Sequence, residues 1–261
     1  MNDAWGGTGG LAAGSAEPRF DGVMFDGVVF DLFGTLVPAP SGPERARLAG
    51  GLAAAFGVGD GQVRAALAQS WRARHEGELT SVPEIVRDLA GRCGVRQPDL
   101  DRALLTVREH AALRLRTEES VLAVLAGLRD QGVPVVVLSD AAAETVEAWP
   151  GCALAGLVDS AFFSCREQAV KPSPALYMRV LAALGVPAGR VLYVGDGGGD
   201  ELAGAGRAGM TAVGVPRRGG ATAVAYGVRG WDGPYVAGAE EVPGLVLHGA
   251  TPRMSVHRPS A

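Results

Sequence analysis

The chain has 261 residues, 48% of them hydrophobic and 20% charged, with a formal net charge of −4. That is room for one large α/β domain, or for a core domain carrying a smaller inserted one. The mild acidity gives no reason to expect nucleic acid or an anionic membrane as a partner. Three widely spaced cysteines, Cys93, Cys152 and Cys165, indicate neither a disulfide framework nor a zinc cluster.

In chain order, residues 1–22 are rich in Gly, Ala and Ser without periodicity, and are expected to form a mobile tail. The opening MNDAWGGTGG lacks the basic start and apolar run of a secretory leader. No apolar run approaches the roughly 18 residues that span a bilayer. The expectation is a cytoplasmic protein. The first strand-like run, 27–30, leads into "DLFGT" and so ends on a carboxylate, Asp31. From 43 to about 116 no strand pattern occurs. Four helical runs carry apolar stripes instead: Leu48, Leu52, Phe56; Val63, Leu67, Trp71; Val82, Ile85, Val86, Leu89; and Leu100, Leu104, Val107, Ala111. Such stripes predict a small helical bundle inserted between the first and second strands. The Pro/Gly/Ser-containing segment 38–43 serves as a hinge, which makes the insert a lid candidate.

Strand-like runs resume at 133–138, 161–163, 191–194 and 211–215, with helical stretches at 120–130, 141–149, 174–184 and 200–206. The strands are nearly apolar throughout, as in a parallel sheet covered on both faces. Strand–helix–strand alternation predicts a doubly wound parallel sheet, with its ligands at the carboxyl ends of the strands. The core is thus read as 23–42 plus 117–247, the insert as 43–116, and 248–261 as a second tail.

Four polar clusters follow strands. Asp31, with Gly34 and Thr35, follows the first; Ser139-Asp140 follows "VVVL"; Lys171 lies in "VKPSP" beyond the third; Asp196 and Asp200 lie in "GDGGGDE" after the fourth. Lys171 is the single lysine among 24 basic residues. A compact ammonium on a flexible stem does what a planar guanidinium fork does not. Asp31 can act as a nucleophile that splits a hydrolysis into two displacements. Two acids four residues apart across three glycines can fold around a hard cation, although Asp200 also stands where it would cap the next helix. Ser139 offers a hydroxyl to an oxyanion.

In order and strand context, these four motifs resemble those of the haloacid dehalogenase superfamily of hydrolases, over about residues 23–246. The resemblance implies a Rossmann-like α/β core with an inserted four-helix cap. It implies Asp31 as nucleophile with Lys171 beside it, and Ser139, Asp140 and Thr35 around the substrate. Mg2+ would be held by Asp31, the carbonyl of Phe33, Asp196 and Asp200. Asp140 stands where the family often has asparagine. Phe33 stands where many of its phosphatases carry a second aspartate that protonates the leaving oxygen. Loss of such a group costs about 10²–10⁴ in rate. The expected activity is a magnesium-dependent phosphatase acting on a small anionic, phosphorylated substrate through an aspartyl-phosphate. The alternatives are a metal-independent 2-haloacid dehalogenase, in which an aromatic residue commonly follows the nucleophile, and a non-catalytic binding protein of the same fold. A phosphonate-cleaving enzyme is excluded, because residues 43–116 contain no lysine. Trp71, Arg72, Arg74 and His75 are candidate substrate readers in the insert, against the plainer role of a solvated helix end with Trp71 in the insert's core. His75 is a candidate substitute for the missing acid.

Overall fold

In the computed structural model, which describes residues 24–218 and 231–249, β1 (Gly27–Phe30) is buried at every position. Five helices then separate it from the second strand: α1 (Gly42–Phe56), α2 (Asp60–Gln69), α3 (Trp71–His75), α4 (Val82–Arg92) and α5 (Leu100–Arg114). The chain returns through α6 (Glu119–Asp130) to β2 (Val135–Ser139), α7 (Ala143–Ala148), β3 (Ser160–Phe163), α8 (Ser164–Glu167) and α9 (Pro174–Leu184). It ends with β4 (Val191–Gly195), α10 (Glu201–Arg207), β5 (Thr211–Gly214) and α11 (Val242–His248). Of the expected tails, 1–22 and 248–261, the first and residues 250–261 of the second lie outside the described residues, while His248 ends α11. No helix among those described is long and apolar enough to cross a membrane.

The sheet runs β3-β2-β1-β4-β5 and every neighbouring pair is parallel. Val29 pairs with Val136 on one side and Tyr193 on the other, so the strand that leads into Asp31 is central. Because side chains alternate across a strand, Val28 and Phe30 pack on one face with Val121, Leu125 and Leu128 of α6 and Leu245 of α11. Val29 packs on the other with Leu176, Tyr177 and Val180 of α9 and Leu202 of α10. The strand order reverses direction between β1 and β4. Sheets of this type bind ligands in the crevice at the carboxyl ends of such a pair.

The helical insert has an apolar core of its own, built from Leu52, Phe56, Val63, Ile85, Val86, Leu89 and Val107. Its first helix is set by local chemistry: Ser41 caps the amide of Glu44, and Glu44 reaches back to the amide of Ser41, a capping box. Gly57 closes the helix at φ 70. The expected second helix is divided at Ser70, whose hydroxyl donates to the Leu67 carbonyl and accepts from Arg74 Nε. The insert is joined to the sheet domain at several points. Ala142 and Ala143 belong to its apolar cluster, Arg108 pairs with Glu147 at 2.6 Å, and Thr117 Oγ1 donates to the Leu36 carbonyl. That last bond fastens the two connecting segments to each other.

Candidate active site

Asp31 leaves β1 still in ladder register, its amide donating to the Val194 carbonyl at 2.9 Å. Its side chain is buried, and each of its oxygens takes one hydrogen bond: Oδ1 from Lys171 Nζ at 2.5 Å and Oδ2 from Thr35 Oγ1 at 3.0 Å. Lys171 Nζ also reaches Glu201 Oε2 at 2.5 Å. Glu201 is fully buried and accepts from Tyr193 OH at 2.8 Å and from the Gly197 amide at 2.9 Å. Carboxylate oxygens of Asp31, Asp196 and Glu201 lie within 4.8 Å of one another. Asp196 Oδ1 accepts from the Gly198 amide, and Oδ2 is 2.5 Å from Arg217 Nε.

The loop after β4 can do this because of its glycines. Gly197 and Gly199 take left-handed φ values of 87 and 63, which side-chain-bearing residues resist. Gly195 leaves open the space that the Glu201 carboxylate fills: a Cβ there would lie 2.2 Å from Glu201 Oε1.

The second acid of this group is therefore Glu201, where the sequence pointed to Asp200. Asp200 sits at φ 59 just before α10, makes no side-chain cap hydrogen bond and is not among the clustered acids. Neither of its expected roles, metal ligand or helix cap, is visible. The helix begins one residue later than the pattern suggested, so its first residue turns inward. Asp140 is likewise used differently: its Oδ1 accepts from the Lys171 amide at 2.9 Å and so anchors the lysine's loop. Ser139 Oγ, at the end of β2, is buried and has no hydrogen-bond partner among the described residues. A buried hydroxyl in that state costs about 1–3 kcal/mol until it meets a partner, so it suits an incoming oxyanion.

The charges around Lys171 do not balance. Asp31, Asp140, Asp196 and Glu201 gather around two cations, Lys171 and Arg217. Burial opposes the lysine's charge, but the carboxylates of Asp31, Glu201 and Asp140 outweigh it and hold Lys171 protonated, well above its ordinary range. Burial also raises Asp31 and Asp140, with Lys171 opposing. Burial and the neighbouring Asp31 charge push Glu201 up to about 8. These are the marks of desolvated acids short of positive charge.

Phe33 is half-buried beside this group, and the Arg114 guanidinium at the end of α5 stands 4.0 Å from its ring centroid. The other insert candidates are engaged locally. Arg72 pairs with Glu76 at 2.8 Å on the surface. Arg74 donates to the Leu67 carbonyl and lies 3.7 Å from Glu144. His75 stacks on Trp71 with ring centroids 4.5 Å apart, and its Nδ1–H donates to the Trp71 carbonyl at 2.8 Å. Burial and the Arg74 charge lower its pKa to about 3. With the proton on Nδ1, Nε2 has none to give, so His75 does not replace the missing acid.

A family model for haloacid dehalogenase-like hydrolases matches residues 25–209. The chain belongs to that family. No curated protein matches this hydrolase in sequence. Solved structures do match its fold. An L-2-haloacid dehalogenase from Xanthobacter autotrophicus with chloropropionic acid covalently bound is 20% identical, with TM-score 0.58 over 87% of this chain and 100% of that one. A haloacid dehalogenase-family phosphatase from Thermococcus onnurineus is 18% identical, with TM-score 0.60 over 85% and 98%. A 2-haloacid dehalogenase from Pseudomonas syringae is 19% identical, with TM-score 0.59 over 87% and 100%. At such identities the likeness speaks for the fold, and it includes both chemistries.

Proposed function

We propose that this hydrolase is a magnesium-dependent phosphatase acting on small phosphate esters. The observation that carries the reading is the convergence of three carboxyl groups, those of Asp31, Asp196 and Glu201, whose oxygens lie within 4.8 Å of one another. Oxygen donors of this kind suit a hard divalent ion. Asp31, Asp196 and Glu201 would hold it, with the Phe33 carbonyl as the family pattern implies. When bound, it supplies positive charge against the repulsion between a phosphate dianion and Asp31.

The protein's own groups divide the remaining work. An Asp31 carboxylate oxygen attacks phosphorus, the ester P–O bond breaks and the alkoxide leaves, giving an aspartyl-phosphate that water then hydrolyses to phosphate and free Asp31. Lys171 and Thr35 fix the attacking carboxylate in place. Ser139 Oγ is the donor available to a phosphoryl oxygen. The leaving alkoxide takes its proton from solvent, because Phe33 has none, so esters of acidic alcohols and phenols are the preferred substrates.

Phe33 also favours a second reading, displacement of halide from a 2-haloacid, which needs no proton donor. One pair of assays separates the two. Phosphate release from p-nitrophenyl phosphate that stops with chelator, and is lost in Asp31→Asn, supports the phosphatase. Halide release from 2-chloropropionate that ignores chelator overturns it. Absence of both activities, with the fold intact, leaves the non-catalytic alternative standing.

A further inference from the structure

We propose that Arg217 is a resident counter-cation on Asp196 that holds down the affinity of the acid cluster for a divalent ion. The inference rests on the phosphatase reading only for the identity of that ion. Arg217 follows β5, and its Nε lies 2.5 Å from Asp196 Oδ2. The carboxylate it holds is one of the three that converge. The two side chains are only 18% and 5% exposed, so salt and water screen this pair less than they would a surface ion pair.

The arrangement is built into the backbone. Gly34 has φ +100, and a Cβ there would lie 2.1 Å from Asp196 Oδ2 and 3.4 Å from Arg217 Cγ. A side chain at position 34 would separate the pair. The next residue ties the segment to the nucleophile's loop: the Arg218 amide donates to the Gly34 carbonyl at 2.8 Å, and the Ala39 amide donates to the Arg218 carbonyl at 2.7 Å. Arg217 is thus held in register with the loop that carries Asp31.

A divalent ion on the oxygens of Asp31, Asp196 and Glu201 stands beside a guanidinium of the same sign. The ion either shares Asp196 with Arg217 or displaces it. Displacement has somewhere to go. A pocket of about 410 Å³ is lined by Thr35, Pro216, Arg217 and Arg218 together with the acids Glu118 and Glu240. Arg218 already pairs with both acids there, and Arg217 would join it at the same wall. Arg217 on Asp196 defines the ion-free arrangement, and Arg217 in the pocket the ion-loaded one.

The test is Mg2+ titration by isothermal calorimetry, without substrate, on wild type and on Arg217→Gln, Arg217→Met and Arg217→Lys, each checked for fold by circular dichroism. Removing the charge should tighten Mg2+ binding by at least about tenfold, given the strength of a like-charge contact in a partly buried site. Arg217→Lys, which keeps the charge, should stay near wild type. Wild-type binding that is unchanged or weakened in both neutral variants overturns the role of Arg217 and leaves the metal reading standing. No Mg2+ binding to any of the four proteins overturns the metal reading, and this inference with it.

Discussion

The strand ends and the helical insert bury their titratable groups in opposite ways. At the strand ends acids are buried together around one lysine and one arginine, and burial and crowding raise the Glu201 pKa so that it keeps its proton near neutral pH. In the insert the half-buried histidines are neutral: partial burial and Arg74 take His75 down to about 3, and partial burial and Arg114 take His110 to about 4. The clustered acids therefore lie at the strand ends, and near neutral pH the insert's two histidines carry no charge. The difference separates groups kept for chemistry, which carry a standing electrostatic cost, from groups that serve packing and carry none.

The comparison can be broken most severely at Lys171. Lys171→Met leaves Asp31 and Glu201 buried without their shared cation, and should lower stability by about 3–5 kcal/mol in urea unfolding. A near-neutral result would mean that Asp31 is not charged in the folded protein. In the insert, Leu89→Ala should cost about 2–5 kcal/mol through the cavity it leaves in the second core. It should leave the pH dependence of stability as it was. That dependence is the next test. Glu201 is raised from 4.5 to about 8, so between those values the folded chain keeps a proton that the unfolded chain has released. Stability should fall as pH rises through that window. Melting temperatures measured in chelator should fall less steeply in Glu201→Gln than in wild type. An unchanged slope would mean that Glu201 is not the group that holds the extra proton in the folded chain. The smallest effect belongs to the contact joining the two regions. Phe33→Leu keeps apolar bulk but loses the ring beneath Arg114, worth about 0.5–1 kcal/mol in the same urea assay.

The two regions also differed in how much the sequence disclosed. Asp31, Ser139 and Asp196 stood out because a parallel sheet delivers its strand ends to one edge, and Lys171, which lies beyond α8, stood out as the single lysine. Glu201 escaped because two adjacent acids compete in "GDGGGDE", and the choice between them depends on where the helix starts. The clue was the glycine ending β4, which has a use only if a neighbouring side chain needs its space. Arg217 escaped although the same strand-end rule covers it, since it lies three residues beyond the end of the fifth strand. In the insert the stripes foretold helices and an apolar core. The engagements of Arg74 and His75 depend on the break at Ser70 and on docking against α7, which no local pattern encodes.

Gly195 carries a consequence for how the site tolerates change. The Glu201 carboxylate occupies the volume that any side chain at position 195 would claim. One added methyl group there evicts the acid from beside Lys171, frees the lysine to neutralise Asp31 alone, and turns an electron-rich cleft into an ordinary salt bridge. The charge inventory of the whole edge is thus governed from a position that bears no functional group.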